Sequence, residues 1–348
     1  MTNGKCRMIY DQMIKAFLVT LLLFVLGVSF PSAQTPKSSA RNWKRVEFRV
    51  RPFTDLYFYL YKLSSSSEKE EVNIEGFSQA VAAAGQVPVT LIPTELIPFR
   101  FDNAADASKV LAQSPETYKT RSGETIPLRE RSVRFGQSLI AVEKPFMDEV
   151  WPKHKLLVEQ TLAKLDRTFG PKEEESFNYL TRHLGLEKAE FIVPVYLVAK
   201  AHVSGVTMWG KDETRGFCVL SVTALQDSQL ITAILHEAIH ALDLETKGKG
   251  NVLVDFQQRL LKAGFAADDL LVRHGPHMLV FIQSSETVRR LIDPSYEPYG
   301  EGVFVRPALA PIAKVQLPLW NAYLDGRISR DEALTKMVDA FVKARPQP

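Results

Sequence analysis

The sequence predicts an α+β fold, in which a small, mostly antiparallel sheet packs on one apolar helix and the C-terminal part is helical. Two observations carry that prediction. Two short apolar runs, Phe191–Val198 (FIVPVYLV) and Gly216–Val222 (GFCVLSV), stand ahead of a long apolar helical segment at 228–245. Helical patterns then follow one another to the C-terminus. A chain of 348 residues can bury a substantial core in one large domain or two modest ones. Its 45% hydrophobic and 24% charged residues are those of an ordinary globular protein. The net charge of +3 comes without a long run of either sign, which excludes the basic stripe that nucleic-acid binding needs.

The first 33 residues read as a signal peptide. Lys5, Arg7 and Lys15 precede an apolar run from Ala16 to Val28, and small residues around Ser32 and Ala33 close it. The run is shorter than the roughly 20 residues of a spanning helix, so the expectation is export to the periplasm or beyond, with no membrane span after cleavage, and the alternative is that the segment stays as an uncleaved anchor. Met13 would make a cleaner start than Met1. Of the two cysteines, Cys6 leaves with this segment, so Cys218 has no intramolecular partner.

Residues 34–145 are expected to form an N-terminal α/β region, and 146–348 a second region that carries the chemistry. Residues 34–43 are a polar leader, and Trp43–Arg51 alternates as a half-buried strand does. Leu56–Leu63 is apolar and aromatic, Ser64–Ser67 begins a loop, and Gly76–Ala84 suits a helix. The three prolines within 86–100 fit no element, and the polar stretch 101–127 is expected to be irregular. Val150–Phe169 and Ser176–Leu184 read as helices. Pro194 marks the 191–198 strand as an edge or a bulge. Asp227 or Ser228 is placed to cap the apolar helix, and Gly248 and Gly250 to end it. Further helices are expected over Asn251–Ala263, from Pro276 through His277 to Ile292, and after a capping box at Ser329–Glu332.

The apolar helix carries His236-Glu237-Ala238-Ile239-His240, an H-E-x-x-H run. Each helical residue turns about 100°, so side chains four apart point within about 40° of one another. Both imidazoles can therefore face one metal ion, and Glu237 stands beside them as a general base for a water on the open metal position. Imidazole ligands favour zinc over calcium or magnesium. Asp243 falls on the same face, where it can support a ligating imidazole or lie as a surface carboxylate.

A catalytic zinc site needs a third protein ligand. The extended motif with a third histidine six residues after His240 is absent, because Thr246 stands there. Glu286, in Ser284-Ser285-Glu286-Thr287, is the leading candidate, and His277 is its competitor. The two lie nine residues apart, on opposite sides of one helix, so they are not expected to bind the same ion. Here the chain resembles the gluzincin class of metallopeptidases, over roughly residues 215–300. His-Glu-Ala-Ile-His-Ala-Leu-Asp followed by Gly248 and Gly250 is similar to small exported bacterial members. It lacks the N-E-x-x-S-D and W-x-x-E-G runs of two large branches of the class. The resemblance implies a zincin-like fold, Zn²⁺ held by His236, His240 and Glu286, and a peptide or protein substrate. It leaves His277 to reach the substrate as a hydrogen-bond donor. His274 is a second candidate for that duty, and Tyr296, on the turn Asp293–Gly300, is a candidate oxyanion donor. Arg289 and Arg290 can bind a carboxylate or form a solvated face. The rival expectation is a zinc-containing envelope scaffold on a peptidase-like fold, which an intact Glu237 argues against.

Overall fold

In the computed structural model, residues 43–66, 74–88, 97–120, 123–186, 192–209, 216–246 and 251–345 are described, the side chains of 244–246 excepted. The expected signal segment, Gly248 and Gly250 lie outside them. The structure is α+β, mostly helical with a small sheet. The strands of that sheet are β1 (Val46–Arg49), β4 (Val193–Val198), β5 (Gly205–Trp209) and β6 (Gly216–Ser221), in the order β1-β4-β6-β5. A two-residue pair, β2 (Tyr118–Lys119) and β3 (Thr125–Ile126), stands apart.

The expectation of a mostly antiparallel sheet is corrected here. β1 runs parallel to β4 and β4 parallel to β6, and only β5 is antiparallel to its neighbour. Such a sheet must be covered on both faces, and the residues of β4 and β6 are accordingly all buried. Pro194 also sits in an inner strand, contrary to its reading as an edge or bulge. The N–H of Val193 points to β1, donating to Arg45 O at 2.9 Å. The missing N–H of Pro194 therefore faces β6, whose pairing with β4 begins only at Val195.

One face of the sheet presents Phe48, Val195, Leu197, Cys218 and Leu220 to the larger core. The helices that contribute to that core are α5 (Trp151–Thr168), α6 (Glu173–Leu184), α7 (Asp227–Thr246), α8 (Val252–Lys262), α9 (Leu270–Leu291), α10 (Ala310–Leu324) and α11 (Arg330–Ala344), of which α7 lies most extensively on the sheet. The other face presents Tyr196, Val198, Phe217 and Val219 to Phe58 and Phe99. Phe58 lies on α1 (Pro52–Ser64), which is buried along almost all of its length. Helices α2 (Phe77–Gln86), α3 (Ala104–Leu111) and α4 (Leu128–Glu149) pack around α1. α3 lies where an irregular stretch is expected, with Asn103 accepting from Asp106 N at its start.

Two buried carboxylates tie these layers together. Glu173, at the start of α6, accepts the backbone N–H groups of Lys44, Arg45 and Val46 at 3.0, 2.7 and 3.0 Å and so anchors β1. Asp55 on α1 accepts from Ala199 N, just past β4, and from His154 on α5. Neither contact is visible in a linear pattern, since the partners lie about a hundred residues or more apart. Among the described residues no helix is long and apolar enough to cross a membrane.

Candidate metal centre

α7 lies against β4, β5 and β6 on one side and α9 on the other. Its apolar residues Leu230, Ile231, Ile234, Leu235, Ala238, Ile239, Ala241 and Leu242 are all buried, as expected of a helix enclosed on several sides. Gly216 lets it approach the sheet, because a Cβ there would lie 2.8 Å from Ala241 Cα. The helix begins at Asp227 itself, whose carboxylate pairs with Lys164, so neither Asp227 nor Ser228 stands at the cap position expected of it. The Ser228 hydroxyl donates to Asp293 Oδ2 at 2.6 Å, while Gln229 Oε1 accepts the N–H of Gln226.

His236 and His240 point from α7 toward α9, where His277 meets them. His236 Nε2 lies 3.1 Å from His277 Nε2 and 3.2 Å from His240 Nε2. One ligand atom from each of the three residues falls within 4.8 Å of the others, which makes them a group that can hold a metal ion. A hydrogen-bonding account of this cluster fails. A neutral imidazole nitrogen either donates one proton or accepts through one in-plane lone pair, and His236 Nε2 faces two partners. One cation facing all three lone pairs satisfies the three Nε2 atoms together. The spacing suits it, since bonds of about 2.0–2.1 Å in a tetrahedron place neighbouring nitrogens about 3.3 Å apart.

The electrostatics keep these imidazoles neutral. Burial first, then the neighbouring His240 and His277, hold His236 well below the ordinary histidine pKa. Burial and His277 bring His240 down to about 4, and burial and His274 lower His277. Phe281, one turn after His277, packs at a tilt against both rings, its centroid 4.1 Å from that of His236 and 4.9 Å from that of His277. His236 Nδ1 is buried without a hydrogen-bond partner, so packing rather than an acceptor orients that ring.

Glu237 turns away from α9 toward the edge strand β5. Its Oε2 accepts from Thr207 Oγ1 at 2.6 Å, and the same hydroxyl lies 2.8 Å from the Glu237 carbonyl oxygen. Burial pushes the carboxyl up to about 7 against the opposing effect of those bonds. A carboxyl poised there suits proton transfer near neutral pH.

His277 reaches this cluster because α9 begins earlier than expected. The helix starts at Leu270, with Asp269 accepting from Leu271 N at 2.8 Å, and Pro276 lies inside it. A proline in a helix interior leaves the carbonyl four residues back without its donor. Here Gln257 Nε2 approaches that carbonyl, Val272 O, at 3.4 Å.

Among the described residues, the structure does not bring Glu286, expected as the third ligand, into the group of three histidines. Its side chain is fully buried and accepts from Arg289 at 2.7 and 3.0 Å, from Arg290 at 2.8 Å, and from Tyr299. Burial raises its pKa, but these hydrogen bonds outweigh that and leave it below the ordinary value. Arg289 and Arg290 are thus committed to Glu286, and Arg290 also to Asp325. Tyr296 bonds Thr232, one turn before His236, so the structure does not bring its hydroxyl into the histidine cluster. Asp243 bonds Asn251, the capping residue of α8, and His274 lies on the first turns of α9. Thr207 is the site residue that sequence reasoning missed. The only signal was a five-residue run with β-branched positions, Gly205–Trp209, which is short and carries no motif.

Compared with protein-family models, with curated proteins and with solved structures, the chain finds no match.

Proposed function

We propose that this chain is an exported zinc-dependent hydrolase that cleaves peptide bonds, with His236, His240 and His277 as the metal ligands and Glu237 as the general base. The observation that carries the reading is the convergence of three imidazole nitrogens beside a buried carboxylate held by a different element. Three neutral imidazoles suit zinc, and a set of three rather than four leaves a position for substrate or water. A zinc ion bound there supplies Lewis acidity, polarising a carbonyl oxygen and acidifying water. Glu237 takes the proton of the attacking water and returns it to the leaving amine. His236 and Glu237 are nearly buried, whereas His240 and His277 are half-buried, so the site opens on their side.

A peptide substrate is favoured by the sheet. Among the described residues β5 is its last strand and pairs with β6 alone, and it carries the residue that holds Glu237. An extended peptide can add to such an edge through main-chain hydrogen bonds, which brings a scissile bond near the carboxylate. Export rests on the basic start and apolar run ahead of Ala33.

The purified chain is expected to hold about one zinc per molecule. It should cleave fluorescein-labelled casein, lose that activity when 1,10-phenanthroline strips the metal, and regain it on adding zinc. Casein cleavage that persists in metal-stripped protein would contradict the reading.

A further inference from the structure

We infer that Thr207 is the positioning residue that aims the Glu237 carboxylate, an inference that rests on the reading of Glu237 as general base. Three features of β5 carry it. Thr207 lies on the face turned toward α7, and its one hydroxyl reaches both ends of Glu237, the carbonyl oxygen at 2.8 Å and Oε2 at 2.6 Å. A glutamate side chain rotates freely about several bonds, and a tether from its own backbone to one carboxylate oxygen leaves it a single orientation. Gly205, two residues earlier and on the same face, supplies the second feature. A Cβ at 205 would lie 3.2 Å from Glu237 Oε1 and 2.6 Å from Leu220 Cδ2. The strand thus holds the carboxyl through the Thr207 hydroxyl and the Thr207 backbone N–H, and Gly205 leaves room for Oε1 beside it.

The third feature is the choice of residue. Val has the shape and the strand preference of Thr, so the edge strand itself does not need the hydroxyl. Apart from Glu237, the polar neighbour of that hydroxyl is Cys218 Sγ at 3.8 Å, a buried thiol that is at best a weak partner. The hydroxyl carries one proton, which it gives to Oε2 when the carboxyl is ionised; when the carboxyl is protonated it can accept from Oε2 and give its own proton to the carbonyl oxygen, and a methyl group in its place offers neither bond.

The test compares Thr207→Val, Thr207→Ser, Glu237→Gln and the Thr207→Val/Glu237→Gln double variant as full-length, zinc-loaded protein. The readouts are zinc content, thermal midpoint, and kcat and KM on a quenched-fluorescent peptide taken from casein. Thr207→Val is expected to keep its zinc and to lower kcat on the order of 10²-fold, the cost of a misaimed catalytic group, with KM within about twofold. Thr207→Ser is expected to recover most of that loss. In the Glu237→Gln background Thr207→Val should cost nothing more, because the group it aims is gone. An unimpaired Thr207→Val, a Ser variant as poor as Val, or an equal loss in both backgrounds overturns the role while leaving the hydrolase reading standing. If the wild type cleaves no casein peptide, the hydrolase reading fails and the aiming role with it. The thermal midpoints of wild type, Thr207→Val and Thr207→Ser read the tether without any turnover: a drop in the Val variant that the Ser variant recovers supports it, and equal midpoints for Val and wild type overturn it.

Discussion

Glu237→Gln is expected to fold, to bind its metal and to lose hydrolysis by about 10²–10⁴-fold, the range that general-base catalysis contributes. The amide keeps the length and volume of the carboxyl and still reaches Thr207 Oγ1, which lies 2.6 Å from Oε2. It cannot take a proton from water. His236, His240 and His277 are untouched, so zinc content should equal that of the wild type. Burial holds the carboxyl up to about 7, so the native group exchanges a proton readily near neutrality, and the amide forfeits that capacity. The comparison is casein-peptide kcat for the two proteins at matched zinc content. Near-normal turnover in the variant would remove Glu237 from the chemistry.

The second large effect separates the two candidates for the third ligand. His277→Ala is expected to leave the protein without firmly held zinc, because two imidazoles alone bind the ion weakly. The loss of affinity should exceed the 10–100-fold that follows when only a hydrogen-bonded partner of a ligand is removed. Glu286→Ala is expected to keep its zinc and lose stability instead. Its carboxylate is fully buried between Arg289, Arg290 and Tyr299, and removing it leaves two guanidinium groups without their shared partner. Breaking a buried pair costs about 3–5 kcal/mol, and the partial exposure of both arginines points to the lower end. Zinc content and urea unfolding of the two purified variants decide the matter. An empty Glu286→Ala protein beside a full His277→Ala protein would reverse the assignment.

Much of the site was legible in the sequence, and what was not has physical reasons. The four-residue spacing of His236 and His240 inside an apolar run needs nothing from the rest of the chain. Local caps were equally readable. Asn251 accepts from Leu253 N at 2.6 Å, and Ser329 from Glu332 N, both at helix starts expected from residue type. Which residue of α9 joins His236 and His240 was harder to read because α9 shows no polar stripe. Met278, Leu279, Val280, Ile282, Gln283, Ser284, Ser285, Glu286, Thr287 and Val288 are all buried, so periodicity could not say which side meets α7. The helical arithmetic that put His277 and Glu286 on opposite sides was sound, and the choice between the sides was not available to it. The start of α9 was misplaced because a proline ordinarily opens a helix, and the group that compensates Pro276 comes from Gln257, on another helix.

The sheet fails for a related reason. Whether β4 lies at an edge depends on β1, almost 150 residues earlier, and on the register that hides the missing N–H of Pro194. α4 was legible and overlooked. Its buried Leu128, Ser132, Phe135, Leu139, Val142 and Phe146 keep a regular spacing of three and four, but Gly136 and Pro145 interrupt the composition of a helix.

The most direct measurement of the central claim is an anomalous difference map at the zinc edge from crystals of the zinc-loaded protein. The expected result is one strong peak about 2.0–2.1 Å from the Nε2 atoms of His236, His240 and His277, with Glu286 still held by its arginines. A peak ligated by Glu286, or no peak at the three histidines in zinc-saturated crystals, would contradict it.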